Sequence, residues 1–296
     1  MKNIFRGTGV ALVTPFKNNG NVDLESLSKL VDHCIHGGVD FLVVLGTTSE
    51  SATLTDSEKN AVVCHVVKIN NNRLPILMGV GGNNTSLICS NINNVPNGIG
   101  GILCVSPYYN KPTQEGIYQH FKEISSATNL PVVLYNVPGR TASNMTASTT
   151  LSLAQKFDNI VAIKEASGDL EQVMQIIKDA PDGFDILSGD DNLTFPMISL
   201  GAMGVISVSG QSFPSQFSRM VNNSLNGDFS AARSIHFQLF TYMKLIFREG
   251  NPGGVKWALK HMGIASDKLR LPLWEISNEL KRLIEKEVDK IRENSN

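Results

Sequence analysis

Eight short apolar runs rich in β-branched residues punctuate the chain, starting near residues 9, 40, 75, 101, 131, 160, 185 and 204, and nothing else in the sequence restricts the fold as much. Helix-like stretches separate them, over 23–37, 56–70, 85–94, 114–128, 146–156, 170–180 and 194–200. Strand then helix, repeated along the chain, is the pattern of a parallel sheet with crossover helices. Several runs, among them Ile102-Leu103-Cys104-Val105 and Val132-Val133-Leu134, are apolar on both faces, as strands covered on both sides must be. Eight units within about 225 residues suit a closed (β/α)8 barrel. The rival is an open doubly wound sheet, which usually carries a glycine-rich phosphate loop. Here Gly79-Val80-Gly81-Gly82-Asn83-Asn84 lacks the last glycine, and no G-x-x-x-x-G-K-[ST] occurs.

Beyond Gly227 the strand signal stops. Residues 228–248, 252–261 and 272–293 read as helices, the last amphipathic through Ile276, Leu280, Leu283, Ile284, Val288 and Ile291. The expected organisation is therefore an α/β chain: a (β/α)8 TIM barrel over 1–227 and a C-terminal helical domain over 228–296 that serves packing or oligomerisation.

Composition narrows the partners. With 42% hydrophobic and 18% charged residues the chain is too apolar for disorder. Lys+Arg 26 against Asp+Glu 27 leaves a net charge of -1, so no global field draws it to nucleic acid or to an anionic membrane. No apolar run approaches the roughly 20 residues that span a bilayer. The stretch Met1-Lys2-Asn3-Ile4-Phe5-Arg6 has no signal-peptide character, so a cytoplasmic location is expected. Cys34, Cys64, Cys89 and Cys104 are too scattered for a zinc site or a disulfide framework, and the six histidines fall mostly in expected helices, so no metal site is expected.

In a barrel, the loops after the strands share one mouth, and catalytic groups come from several strand ends at once. The polar residues just after each run are Thr14-Pro15, Gly46-Thr47-Thr48-Ser49-Glu50, Tyr108-Tyr109-Asn110, Tyr135 to Arg140, Lys164-Glu165 and Gly189-Asp190-Asp191. Lys164 ends Ile160-Val161-Ala162-Ile163, which places an amine inside an apolar strand. Desolvation there favours the neutral amine that an imine-forming nucleophile needs. The bland alternative is a structural ion pair with Glu165. Tyr135 ends the preceding strand, and Tyr109 and Thr47 follow two others; a chain of such hydroxyls can shuttle protons to and from a carbinolamine. Arg140 offers a fork for a carboxylate, against the alternative of a solvated surface arginine. The 46–50 loop, with the hydroxyls of Thr47, Thr48 and Ser49 and successive N–H groups, suits a small carboxylate.

These residues together resemble the dihydrodipicolinate synthase family of pyruvate-dependent class I aldolases, to which N-acetylneuraminate lyase is also related. The resemblance is full-length and rests on Gly46-Thr47-Thr48-x-Glu50-Ser51-Ala52-Thr53-Leu54, Ser106-Pro107-Tyr108-Tyr109-Asn110-Lys111-Pro112, Tyr135-Asn136-Val137-Pro138-Gly139-Arg140-Thr141, Ile163-Lys164-Glu165-Ala166, Ser188-Gly189-Asp190-Asp191 and Gly204-Val205-Ile206-Ser207. It implies that Lys164 forms the imine with pyruvate and that the derived enamine attacks the aldehyde of L-aspartate 4-semialdehyde. It also implies that Tyr135, Thr47 and Tyr109 relay protons, Tyr109 reaching the neighbouring subunit's site across a tight homodimer or within a homotetramer. Thr48 would then hold pyruvate's carboxylate, Ile206 would line the site with its carbonyl, Arg140 would hold the semialdehyde's carboxylate, and Gly189 would be a further substrate-binding residue. No cofactor is implied, because the protonated imine is itself the electron sink. Ser49 stands where the family usually has glycine, and would be strained if that position needs positive φ. Leu87 stands where lysine-inhibited members carry a glutamate that holds the effector, with Asp56 and Lys59 where histidines occur, which implies weak or absent lysine inhibition. Two other functions fit the same residues less well: a sister aldolase or lyase acting on a sugar-derived 2-keto acid, which generally lacks an arginine at position 140, and a non-catalytic pyruvate-binding regulator, which has no use for Lys164, Tyr135, Thr47 and Tyr109 together.

Overall fold

A computed structural model describes residues 4–294. Eight parallel strands, β1 (Gly7–Ala11), β2 (Phe41–Val44), β3 (Ile76–Gly79), β4 (Gly101–Val105), β5 (Val132–Asn136), β6 (Ile160–Glu165), β7 (Asp185–Ser188) and β8 (Gly204–Ser207), pair in sequence order and close β8 onto β1. The barrel expectation holds, and the expected strand starts fall within two residues of the start of β1 and within one of the rest. The closure is tight: a Cβ on Gly204 would lie 2.2 Å from the Gly7 carbonyl oxygen, and Gly204 has φ +153. Only glycine lets the first and last strands approach so closely.

The connecting helices are α1 (Leu24–His36), α2 (Asp56–Asn70), α3 (Thr85–Ile92), α4 (Gln114–Ser126), the single turn α5 (Pro138–Thr141), α6 (Ala147–Lys156), α7 (Leu170–Asp179), α8 (Thr194–Leu200) and α9 (Pro214–Leu225). Their starts are written in short polar residues. Asp23, Thr55, Asn84, Thr113, Thr146 and Asp169 each accept a backbone N–H of the first turn, and Thr55 with Glu58 forms a reciprocal capping box. The sequence pattern did not disclose α9. Its apolar face is the sparse set Phe217, Met220 and Val221 among serines and asparagines, although Pro214 at its first turn is a start signal.

Three further helices, α10 (Phe229–Leu245), α11 (Gly253–His261) and α12 (Asn278–Glu293), form the C-terminal region. The expected helix over 272–293 is corrected to start at Asn278: Ser277 caps it by accepting from the Leu280 N–H, and Glu249 holds the Ser277 N–H at 2.7 Å. Residues 272–277 approach in irregular conformation, leaving Trp274 75% exposed. No helix among the described residues is long and apolar enough to cross a membrane.

Two apolar clusters result. The larger lies between sheet and helices. The smaller fills the barrel lumen with Phe5, Phe41, Val43, Leu77, Leu103, Val133, Leu187 and others, and Tyr135 and Ile206 stand among them. Alternation along β6 explains who faces where. Ile160 and Ile163 belong to the outer cluster and Ala162 to the lumen, so Lys164, two residues on, faces the lumen and Glu165 faces the helices. A bulge opposite Val132 and Val133 turns Val161 inward too, and beyond it Tyr135 pairs directly with Lys164.

Candidate active site

Lys164 emerges from β6 only 6% exposed, with its Nζ 4.4 Å from the centre of the Tyr135 ring. The two share a face because parallel register partners do. Gly189, just past β7, sits against the lysine stem: a Cβ there would come within 3.1 Å of Lys164 Cε and 2.5 Å of Ala166 Cβ. Any side chain at 189 would crowd the amine. Asp190 follows, half-buried; burial pushes its carboxyl above the usual range, while the charge of Lys164 pulls it back down.

Glu165 does not pair with the neighbouring lysine. It points outward, where its carboxylate accepts from Asn136 Nδ2 at 3.1 Å, from Gln172 Nε2 at 3.0 Å and from the Ser167 N–H at 2.8 Å. Burial nonetheless holds its carboxyl above the usual value. Asn136 in turn donates to Asn144 Oδ1 at 2.7 Å and accepts from the Met145 N–H at 3.0 Å. This network ties the end of β5 to the end of β6 from behind and so steadies Tyr135 beside Lys164. The same carboxylate that offered the bland explanation of Lys164 is thus spoken for elsewhere.

The 46–50 loop winds into a 3-10 turn over Thr47–Ser49. Thr48 is buried and Thr47 exposed at the mouth. Ser49 is not among the positive-φ residues; it is buried and its hydroxyl donates to the Gly46 carbonyl at 2.6 Å. The left-handed residue is its neighbour Glu50, at φ 55, so the strain expected at position 49 is absent. Ile206 lies on β8 in the lumen cluster. Arg140 sits exposed on α5 with no ion-pair partner among the described residues, on a turn closed by Ala142 at φ 55.

Tyr109 stands apart. It is 88% exposed, with φ 71, and among the described residues the hydroxyls of Tyr109, Tyr135 and Thr47 make no hydrogen bond with one another. A single chain therefore brings together Lys164, Tyr135, Gly189 and Ile206, and leaves Tyr109 outside. Bulky left-handed residues persist where surroundings or function demand them. Sequence inspection missed one polar contact to the loop: Asn251, between α10 and α11, donates from Nδ2 to Thr48 Oγ1 at 2.9 Å. No local pattern could disclose a partner more than two hundred residues away.

A family model described as the dihydrodipicolinate synthetase family matches residues 4–291. The chain is 54% identical over 269 residues to a 4-hydroxy-tetrahydrodipicolinate synthase of Parabacteroides distasonis, covering 90% of this chain and 91% of that one. Among solved structures, it is similar to one described as the first monomeric dihydrodipicolinate synthase variant, with a TM-score of 0.95 at 39% identity over 98% of this chain and 97% of the other. It is equally similar to the chloride-inhibited dihydrodipicolinate synthase of Acinetobacter baumannii complexed with pyruvate, with a TM-score of 0.95 at 36% identity over 98% and 99%.

Proposed function

The chain belongs to the dihydrodipicolinate synthetase family, and from that premise we infer that it condenses pyruvate with L-aspartate 4-semialdehyde to 4-hydroxy-tetrahydrodipicolinate through an imine on Lys164. The observation that carries the assignment is the buried, lumen-facing amine against Tyr135, with the adjacent carboxylate turned away. Lys164 adds to the ketone of pyruvate, water leaves, and loss of a C3 proton gives an enamine. The enamine carbon attacks the aldehyde; the semialdehyde's own amine then displaces Lys164 as the ring closes. Tyr135, Thr47 and a partner's tyrosine at position 109 move the protons, Thr48 holds pyruvate's carboxylate, and Gly189 and the Ile206 carbonyl line the pyruvate side. The imine serves as its own electron sink, so the scheme calls for no cofactor. Borohydride trapping with pyruvate, followed by an assay with the semialdehyde, tests the whole scheme. In this division the barrel, 1–227, carries the reacting groups and the helical region, 228–296, braces them.

Arg140 is assigned to the semialdehyde's carboxylate, and having no ion-pair partner among the described residues suits it to that task. Arg140→Ala should weaken use of the semialdehyde about ten- to a hundredfold, the equivalent of a charge-assisted bidentate contact of about 1.5 to 3 kcal/mol, while leaving imine formation with pyruvate almost intact. Unchanged steady-state constants for the semialdehyde would remove Arg140 from the site. The same arginine separates this enzyme from lyases of sugar-derived 2-keto acids.

The outward Tyr109 supports a dimer or larger homo-oligomer in which each chain completes its neighbour's proton relay. Sedimentation of the active enzyme should give at least a dimer; a fully active monomer would refute the shared relay. The four unpaired cysteines fit a reducing compartment, and we place the enzyme in the cytoplasm.

Feedback inhibition by lysine should be weak or absent. Leu87 is 57% exposed and offers an ammonium no acceptor, while Asp56, the acidic residue that stands at one of the histidine positions, already pairs with Lys59 at 3.2 Å. Titrating L-lysine into the coupled assay decides the point, and half-inhibition at submillimolar lysine would contradict it.

A further inference from the structure

We propose that Asn251 is a positioning residue for the condensation, one that forces the Thr48 hydroxyl to donate its proton into the site. The proposal rests on the assignment of Thr48 to pyruvate's carboxylate. A side-chain amide nitrogen can only donate, so the Asn251 Nδ2 bond of 2.9 Å occupies a lone pair of Thr48 Oγ1 and leaves the single O–H of that threonine free. A carboxylate can only accept. Amide to hydroxyl to carboxylate is then a chain of donors running one way, and each bond polarises the next. Both residues are buried, Thr48 at 3% and Asn251 at 9% exposure, so water competes little for either group.

The contact is part of a larger grip. Two residues past Thr48, the Glu50 carboxylate takes the ammonium of Lys256 on α11 and the N–H of Arg270 at 3.0 Å. Lys256 also donates to the Lys268 carbonyl at 2.8 Å, and Arg270 Nη1 donates to the Thr53 carbonyl at 2.8 Å. The C-terminal region therefore holds the 46–54 segment at several points, but only Asn251 touches a group assigned to substrate. The others fix where the loop lies; Asn251 fixes which way its hydroxyl points.

Asn251→Asp reverses the polarity without changing the shape. The new carboxylate accepts the Thr48 proton, turns the oxygen's lone pairs toward pyruvate and adds a like charge. In the full-length enzyme the pyruvate KM should rise at least about tenfold, with borohydride trapping slowed in proportion and the semialdehyde KM within about twofold of the parent. The defect should shrink as pH falls, because a buried carboxyl takes up a proton readily and then donates again; a purely structural lesion has no reason to recover. Asn251→Ala should give a smaller rise and serves in place of the aspartate variant if that protein does not fold. Thr48→Val is the control for the underlying assignment. If Thr48→Val leaves pyruvate use unchanged, Thr48 does not hold the carboxylate and that assignment fails. If Thr48→Val raises the pyruvate KM while Asn251→Asp and Asn251→Ala do not, or if the double variant shows the two effects as independent, Asn251 has no part in directing the hydroxyl.

Discussion

Lys164→Ala should yield a protein that no longer gains mass with pyruvate and borohydride, and whose condensation rate is lower by on the order of a thousandfold or more, since the covalent route has no second amine to use. The burial pattern makes the claim specific to this lysine. Among the described residues Lys256 is the other deeply buried amine, and it is bonded to Glu50 and to the Lys268 carbonyl, with the Phe16 ring 4.3 Å away. Lys164 instead faces the lumen with an aromatic ring beside it and its neighbouring carboxylate engaged on the far side of the sheet. Pyruvate-dependent mass gain on the alanine variant would move the chemistry to another residue. Circular dichroism should be unchanged, because Glu165 and not Lys164 carries the network that ties β5 to β6.

A second large effect is expected on stability. Lys256→Met removes the partner of Glu50 inside the protein, where both side chains are fully buried, and leaves a carboxylate with one backbone donor in place of an ammonium. Breaking a buried pair from one side costs about 3 to 5 kcal/mol, which for a chain of this size lowers the melting temperature by about 10 °C. Burial pulls the Lys256 ammonium down to about 8, with Glu50 pulling it back up. Taking both charges out of water offsets much of their mutual attraction, so a buried pair of this kind is a weak source of stability. The double change Lys256→Met with Glu50→Gln should accordingly recover most of the loss. Thermal melts of the three variants test this, and a single methionine variant that melts with the parent would show that Glu50 finds other compensation.

How far the sequence alone reached is clearest at particular residues. Lys164 and Tyr135 were legible because a strand's end follows from where its apolar run stops, and in a barrel adjacent strand ends share one rim. Arg140 and Thr48 were named through their motifs, and the fold gives their places: Arg140 exposed on α5, Thr48 buried in the turn after β2. Tyr109 was named, but its outward attitude depends on a left-handed backbone that no spacing encodes. Ser49 would have been strained only at positive φ, and the structure places the left-handed residue one position later, at Glu50. The helix α9 escaped notice because its inward face mixes Ser218 and Ser224 with its few apolar residues. Asn251 was invisible for a different reason: its partner is 203 positions away, and only the folded chain brings an asparagine between two C-terminal helices to the mouth of the second strand's loop.

That separation has a consequence for how the protein is made. A ribosome delivers β1 first and β8 only after residue 207, so the barrel can close before Asn251, Lys256 and Arg270 have left the exit tunnel. The loop that carries Thr48 and Glu50 is synthesised more than two hundred residues before its fasteners. A nascent chain that has closed its strands presents the lysine without a fixed carboxylate grip, so that competence in condensation waits until Asn251, Lys256 and Arg270 have emerged.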